Sequence, residues 1–386
     1  MIIPRSYQQE GIDKTINFLE GSEQGNPLLV YPTGAGKSVV IAKIAEYIAN
    51  KGKRLLVFQP QKEILQQNYD KYVAYGYQAS VYSASMNSKN FGDVTFATIG
   101  SVASKPELFK GYDYILVDEA HTVDPYNGRY KTFFDHLNKK VIGLTATPYR
   151  LYSNSFGACL RFTTRTNPRV FDTVLHYVQN DYLFKEGYLA KLEYEVDNQY
   201  DISRLQVNST GSDFTDESVR QYQNHIDFDH KLFKKVKELM ERGRKPLVFT
   251  RFIADSELLI KNLGEGVILT GATPHKQRQK IVEDYRIGKI PVLANVGVAD
   301  TGCDFPLCDS VVIASATRSL ARYTQKVGRG VRIHPDKKDC VVVDLCGNYN
   351  TFGRVEDLNI HRDKNGRFGV FGIVNGKHKQ LTNVNF

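Results

Sequence analysis

Residues 28–38 read Leu-Leu-Val-Tyr-Pro-Thr-Gly-Ala-Gly-Lys-Ser, and the rest of the chain is organised around them. The apolar run 28–30 has the length of a short buried strand, and the turn from Pro32 to Gly36 opens into Lys37, Ser38 and an aliphatic helix start. That order builds a phosphate cradle. Glycines let successive backbone N–H groups face inward, and a helix N-terminus adds partial positive charge. Thr33, Gly34, Ala35 and Gly36 would then wrap a polyphosphate, Lys37 would reach its β- and γ-phosphates, and the Ser38 hydroxyl would hold Mg²⁺. Tyr31 departs from the strict pattern, which has glycine there; a plain glycine turn with a solvated lysine is the competing reading.

Composition bounds the rest. A chain of 386 residues suits two domains better than one core, and 41% hydrophobic residues indicate a globular protein. The net charge of +9 suits a polyanionic partner, nucleic acid above all, although a basic protein without one carries the same charge. Five cysteines without Cys-x-x-Cys spacing argue against a disulfide framework and against a zinc ribbon. No signal peptide and no apolar run of membrane-spanning length is evident, so the expected setting is cytoplasmic, in a bacterial or phage-infected cell.

A helix over 11–20 precedes the phosphate strand, and Gln8 just before it offers the donor and acceptor that complement an adenine edge, as any surface glutamine also would. After the phosphate helix, strands at 54–59, 78–83, 94–98, 114–117 and 141–144 alternate with helical stretches, which is a parallel α/β pattern. The strand at 114–117 runs straight into Asp118-Glu119-Ala120-His121. Two adjacent carboxylates at the end of a buried strand are costly without a cation, so Asp118 is assigned to Mg²⁺ and Glu119 to polarising the attacking water. The strand at 141–144 ends in Thr145-Ala-Thr-Pro148, whose hydroxyls could link the hydrolysis site to a neighbouring surface or simply close a turn.

Pro-Thr-Gly-Ala-Gly-Lys-Ser, Asp-Glu-Ala-His and Thr-Ala-Thr-Pro, in this order, resemble the first motor domain of a superfamily 2 DEAD/DEAH-type helicase. The segment 183–189 resembles the crossing segment of XPB-like and RadD-like members, and 345–354 resembles the closing segment of RadD-like proteins and their phage, UvsW-like relatives. Residues 151–240 otherwise carry little signal beyond a helix at 230–242.

A second αβ series, with strands at 246–249, 267–269, 292–294, 311–314 and 340–343, predicts a second lobe. The expected fold is therefore α/β: two tandem RecA-like domains, 1–175 and 176–350, with an interdomain ATP cleft, and a C-terminal extension, 351–386, ending in a β-hairpin around Asn375-Gly376. In the run 325–332, Arg329 and Arg332 lie three apart and would share a face on a helix or tight turn, placed to act as arginine fingers. The resemblance implies further roles. Gln325 would join the arginines at the nucleotide, Arg5, Gly302 and Asp304 would belong to the cofactor site, and Asp304 would approach the ribose. Strand contacts would come from Pro60 and Gln61, from Thr98, Gly100 and Ser101, from Thr250 and Arg251, and from Asn295 and Gly297.

The sequence thus predicts an ATP- and Mg²⁺-dependent nucleic-acid motor, monomeric, unwinding or remodelling branched DNA in recombination, replication or repair. The alternatives are an RNA helicase and an ATP-gated clamp that does not translocate.

Overall fold

The computed structural model describes residues 2–154, 157–298 and 305–384. The chain falls into two compact units: Met1–Arg150 with Arg161–Gln179 and Arg362–Phe368, and Leu151–Leu160 with Asn180–His361 and Gly369–Phe386.

The first unit is built on an eight-stranded sheet. Its strands are β1 (Pro27–Val30), β2 (Leu55–Phe58), β3 (Ser80–Ser83), β4 (Ser88–Lys89), β5 (Val94–Ala97), β6 (Tyr114–Asp118) and β7 (Lys140–Thr145). A two-stranded ribbon, β8 (Tyr149–Asn154) and β9 (Gly157–Phe162), precedes the eighth member, β10 (Thr173–Tyr177). The order is β10-β1-β7-β6-β2-β5-β3-β4, parallel except for the β3–β4 pair. Strands β1, β2 and β5 are buried at every position, as strands covered by helices on both faces must be. The helices are α1 (Ser6–Glu20), α2 (Lys37–Asn50), α3 (Lys62–Ala74), the single turn α4 (Ile99–Val102) and α5 (Arg129–Leu137). Helix α1 starts five residues earlier than the sequence suggests, because Tyr7 and Gln8 are already buried against the phosphate turn.

The second unit carries a fully parallel six-stranded sheet, β11 (Leu192–Val196), β12 (Pro246–Thr250), β13 (Val267–Leu269), β14 (Leu293–Asn295), β15 (Ser310–Ala314) and β16 (Cys340–Asp344), in the order β11-β16-β15-β12-β14-β13. Its core joins Val248, Val312 and Val341 on the sheet to Leu232, Val236 and Leu239 of the helix Phe228–Glu241. Two parallel sheets in one chain are what the twofold αβ series predicts. A three-stranded sheet follows, β17 (Asn359–Arg362), β18 (Phe368–Val374) and β19 (Lys377–Gln380). The predicted hairpin is its β18–β19 pair, turning through Asn375 and Gly376 at φ of 51° and 73°, the signs a type I′ turn requires. Among the described residues, no helix is long and apolar enough to cross a membrane.

Candidate active site

Strands β1, β7 and β6 are neighbours, paired so that Val30 faces Thr145 and Asp118 faces Leu144. Their carboxyl ends therefore deliver the phosphate turn, the Thr-Ala-Thr segment and the Asp-Glu pair side by side, at the edge where open parallel sheets place their ligands.

Gly34 and Gly36 in the turn have φ of 89° and 78°. At Gly36 the left-handed backbone favours glycine, and a Cβ would in addition displace the Gln8 amide. The reason is a clasp from α1. Gln8 Nε2 donates to the Ala35 carbonyl at 2.8 Å, Tyr7 Oη donates to the same oxygen at 3.1 Å, and Arg5 N donates to Gln8 Oε1 at 2.9 Å. Arg5 and Gln8, predicted beside a nucleotide, thus sit at the turn, with part of the Gln8 amide spent on holding it. Thr33 is half-buried in the turn, and Lys37 and Ser38 form the first two positions of α2.

Tyr31 departs from glycine without obstructing the cradle. Its ring is fully buried, turned away against α1 and tilted onto the His176 ring of β10 at 5.4 Å. Gly11 in α1 leaves the room; a Cβ there would meet Tyr31 Oη at 1.8 Å.

Lys37 Nζ lies 3.5 Å from Glu119 Oε1, so the loop cation and the second carboxylate face each other. Asp118 is buried; its Oδ1 accepts from Glu119 N at 2.9 Å and its Oδ2 from Asn68 Nδ2 at 3.1 Å. Burial first, and the Glu119 charge second, push its carboxyl up to about 6 against the opposing pull of Lys37 and these hydrogen bonds. Glu119 itself has a left-handed backbone, φ 51°, a conformation costly for a non-glycine residue and common at functional sites.

Two further residues complete the cluster. His121 Nδ1 lies 2.9 Å from Thr145 Oγ1, 3.1 Å from Thr147 Oγ1 and 3.4 Å from Glu119 Oε2, joining the Asp-Glu pair to the hydroxyls of β7. Its signal was its place as the last letter of Asp-Glu-Ala-His. Asn68 of α3, which also donates to Gln59 Oε1 at 3.0 Å, had no local signal at all.

The donor set fits a metal nucleotide. Among the described residues no group of three or more His, Cys, Asp and Glu could hold a metal, so a cation at Asp118 would draw further oxygens from Ser38 and from the phosphates. A divalent cation would also relieve the clustered carboxylates that raise Asp118.

In the second unit, helix Leu320–Val327 carries Gln325, half-buried near its end. Arg329 and Arg332 lie beyond it, the first in the turn that follows the helix and the second in the irregular stretch after that. Their loop is pinned from below. Lys337 is 9% exposed, and its ammonium donates to the Gly330 carbonyl at 2.8 Å and to that of Cys308 at 2.9 Å. Gly330 lies so close to β16 that a Cβ would meet Cys340 Sγ at 2.3 Å. Gly302 and Asp304 lie outside the described residues.

The predicted strand contacts divide. Pro60, Gln61, Gly100 and Gly297 are exposed or half-buried, as are Thr98 and Ser101, whose hydroxyls lie 2.9 Å apart. Thr250 and Asn295 are buried, Thr250 Oγ1 lying 2.7 Å from Ser256 Oγ and Asn295 Oδ1 accepting from Val298 N at 3.2 Å. Arg251 is engaged within the second unit. Its guanidinium is spent inside the unit, donating to the Phe214 carbonyl at 2.6 Å and the Ala316 carbonyl at 3.3 Å and pairing with Asp216 at 2.7 Å.

Residues 1–150 match the model of the type III restriction enzyme res subunit, and residues 231–334 match the helicase conserved C-terminal domain. A 51.5 kDa protein of a Lactococcus phage is 24% identical over 328 residues, covering 83% of this chain and 66% of that protein. A Haloarcula marismortui protein provisionally named DNA 3'-5' helicase Rad25 is 25% identical over 346 residues, covering 85% of this chain and 50% of its own length. The chain therefore spans between half and two thirds of these relatives. Of solved structures, the ATP-dependent type ISP restriction-modification enzyme LlaBIII bound to DNA superposes with a TM-score of 0.63 at 15% identity, covering 89% of this chain and 27% of that one.

Proposed function

We propose that this chain, a member of superfamily 2 of the helicases, hydrolyses ATP to move along or remodel DNA, with branched DNA of recombination, replication or repair as its substrate. The observation that carries the reading is the convergence of Lys37, Asp118, Glu119, His121 and Thr145 at one sheet edge beside a turn whose two glycines take left-handed backbones.

Within that reading the roles follow from placement. Lys37, with Thr33 to Gly36, binds the triphosphate, and Ser38 and Asp118 hold Mg²⁺, which when bound neutralises charge on the phosphoryl oxygens. Glu119 orients water and accepts its proton. His121, bonded to two threonine hydroxyls and facing Glu119, fixes that carboxylate and links it to β7. Gln325, Arg329 and Arg332 are proposed to complete the site from the second unit, with Asp304 toward the ribose. The organisation we propose is two motor domains, 1–175 and 176–350, followed by the extension 351–386, working as a monomer.

DNA is favoured over RNA by the name of the Rad25 relative, a DNA helicase, and the phage relative supports a role in infected cells. The test is ATP turnover against single strands, forks, four-way junctions and RNA of matched sequence. Turnover stimulated most by branched DNA, and abolished in Glu119→Gln with nucleotide binding retained, supports the proposal. Stimulation by RNA alone would make it an RNA helicase, and strand binding gated by ATP without turnover would make it a clamp.

A further inference from the structure

We propose that Arg129 is a contact to the sugar-phosphate backbone, seated on Gly100 in the first unit; this rests on the nucleic-acid reading above. The backbone leading to this arginine is braced by side-chain contacts. After β6 the chain crosses a loop organised by Asp124, whose Oδ1 accepts from Tyr126 N at 2.9 Å and Asn127 N at 3.3 Å while its Oδ2 pairs with Arg150 at 3.3 Å. Gly128, at φ 102°, then turns the chain into α5, and Arg129 is the first residue of that helix. Its side chain leaves from a held backbone.

Where the side chain goes is recorded by a glycine. A Cβ on Gly100 would stand 3.1 Å from Arg129 Nη1, so the guanidinium lies directly over this turn of α4. Gly100 has no left-handed backbone to require glycine. What its missing side chain provides is the approach of the arginine.

The pairing of charges then separates this arginine from its neighbours. On α5, Lys131 is paired with Asp135 at 2.5 Å and His136 with Glu107. Arg129 is exposed and, among the described residues, makes no hydrogen bond or ion pair. An exposed guanidinium lying over a hydroxyl-bearing turn, its donors unspent within the protein, matches the planar two-oxygen face of a phosphodiester. An acidic protein surface would offer carboxylates to the same fork, but the chain's net charge of +9 and the sequence-tolerant grip a motor needs favour the polymer.

The experiment is binding of fluorescein-labelled oligothymidylate and oligouridylate, about twenty nucleotides long, by the full chain between roughly 50 and 200 mM salt. For Arg129→Ala we expect several-fold weaker binding and a salt slope shallower by about 0.7, the value of one single-strand phosphate contact. Nucleotide-free thermal stability and ATP turnover without nucleic acid should not change, and Arg129→Lys should restore most of the slope. Gly100→Ala displaces the guanidinium without removing charge, so it should weaken binding in the wild-type background and add nothing to Arg129→Ala. An unchanged affinity and slope in Arg129→Ala, or full additivity of the two substitutions, overturns the proposal. Failure of the wild-type chain to bind either oligonucleotide would instead overturn the nucleic-acid reading on which it rests.

Discussion

Alanine in place of Gly11 is predicted to destabilise the first unit, against the usual sign for a helix glycine. In an ordinary helix interior the substitution stabilises by about 0.5–1 kcal/mol, because alanine loses less backbone freedom on folding. Here the added Cβ would stand 1.8 Å from Tyr31 Oη, 2.7 Å from His176 Cδ2 and 3.0 Å from Tyr31 Cζ, all on buried rings. Overpacking of this kind costs about 1–3 kcal/mol, and the Tyr31 ring cannot swing out without carrying Pro32 and the phosphate turn with it. The steric term wins, for a net loss of about 1–2 kcal/mol. Tyr31→Phe supplies the control. The Tyr31 hydroxyl is buried with no hydrogen-bond partner among the described residues, so its removal should be neutral or stabilising by about 1 kcal/mol. Because it also deletes the nearest clashing atom, the double variant should recover much of the loss, a coupling of about 1 kcal/mol or more. A two-unit chain need not unfold in one step, so the measurement is denaturant-dependent amide exchange of α1 and β1. If Gly11→Ala stabilises those amides, or Tyr31→Phe leaves its cost untouched, the packing account of Tyr31 is wrong.

Three further outcomes follow from single contacts. Lys337→Met should strand the buried carbonyls of Cys308 and Gly330, costing the second unit about 1–3 kcal/mol and lowering kcat for ATP more than it raises KM; a change in KM alone would show that the Arg329 loop does not depend on it. Gly353→Ala meets both a left-handed backbone, φ 78°, and the Ile373 carbonyl 2.2 Å from the new Cβ, so we expect a loss of about 3 kcal/mol or more in urea unfolding, where a loss below about 1 would refute the rigid seat of β18. His176 is held below its ordinary pKa, chiefly by burial and further by Lys14, while Glu10 and the Tyr7 carbonyl that accepts from Nε2 oppose the shift. The folded state then binds fewer protons than the unfolded chain, so stability should fall as pH drops below about 6.5, by at most about 1.4 kcal/mol per pH unit. His176→Gln should flatten that slope, and equal slopes in the two proteins would exclude the assignment.

Most of the strands legible in the sequence are unbroken apolar runs, including the edge strand β13, whose Val267–Leu269 is apolar throughout although only its last residue is buried. Strands β1, β6 and β7 are nearly unbroken apolar runs because helices cover both sides of them, and their ends carry turn chemistry with few readings. Strands β10 and β11 are edges whose residues mix apolar with polar and charged ones. Thr173–Tyr177 alternates exposed and buried positions, and Leu192–Val196 is buried only at its start, so neither stands out from the polar-aromatic background of residues 151–240. The helix Asp216–His225 escaped for a related reason: its few apolar contacts, through Val219 and Tyr222, give a weak stripe in a polar sequence. Asn68 shows the limit of local reading, since its bond to Asp118 spans fifty residues and depends on how α3 lies against the sheet.

Arg251 and Gln8 show why residue chemistry alone underdetermines a site. Gln8 is assigned from what its amide can bond and Arg251 from the resemblance alone, and both bond what is nearest. For Arg251 the nearest acceptors are the Phe214 and Ala316 carbonyls and Asp216, which occupy its fork and make it a brace of the second unit. For Gln8 the division is finer. One amide hydrogen goes to Ala35 and one lone pair takes the Arg5 N–H, leaving one hydrogen and one lone pair, the complement an adenine edge would need. The proposed base contact would have to use that remainder, on a side chain that is itself buried. Gln8→Glu separates the two uses: a carboxylate keeps the acceptor for Arg5 N but loses the donor to Ala35, so turn stability and discrimination between ATP and GTP should fall together. If discrimination falls while the exchange protection of residues 33–38 is unchanged, the brace is not part of how the base is read.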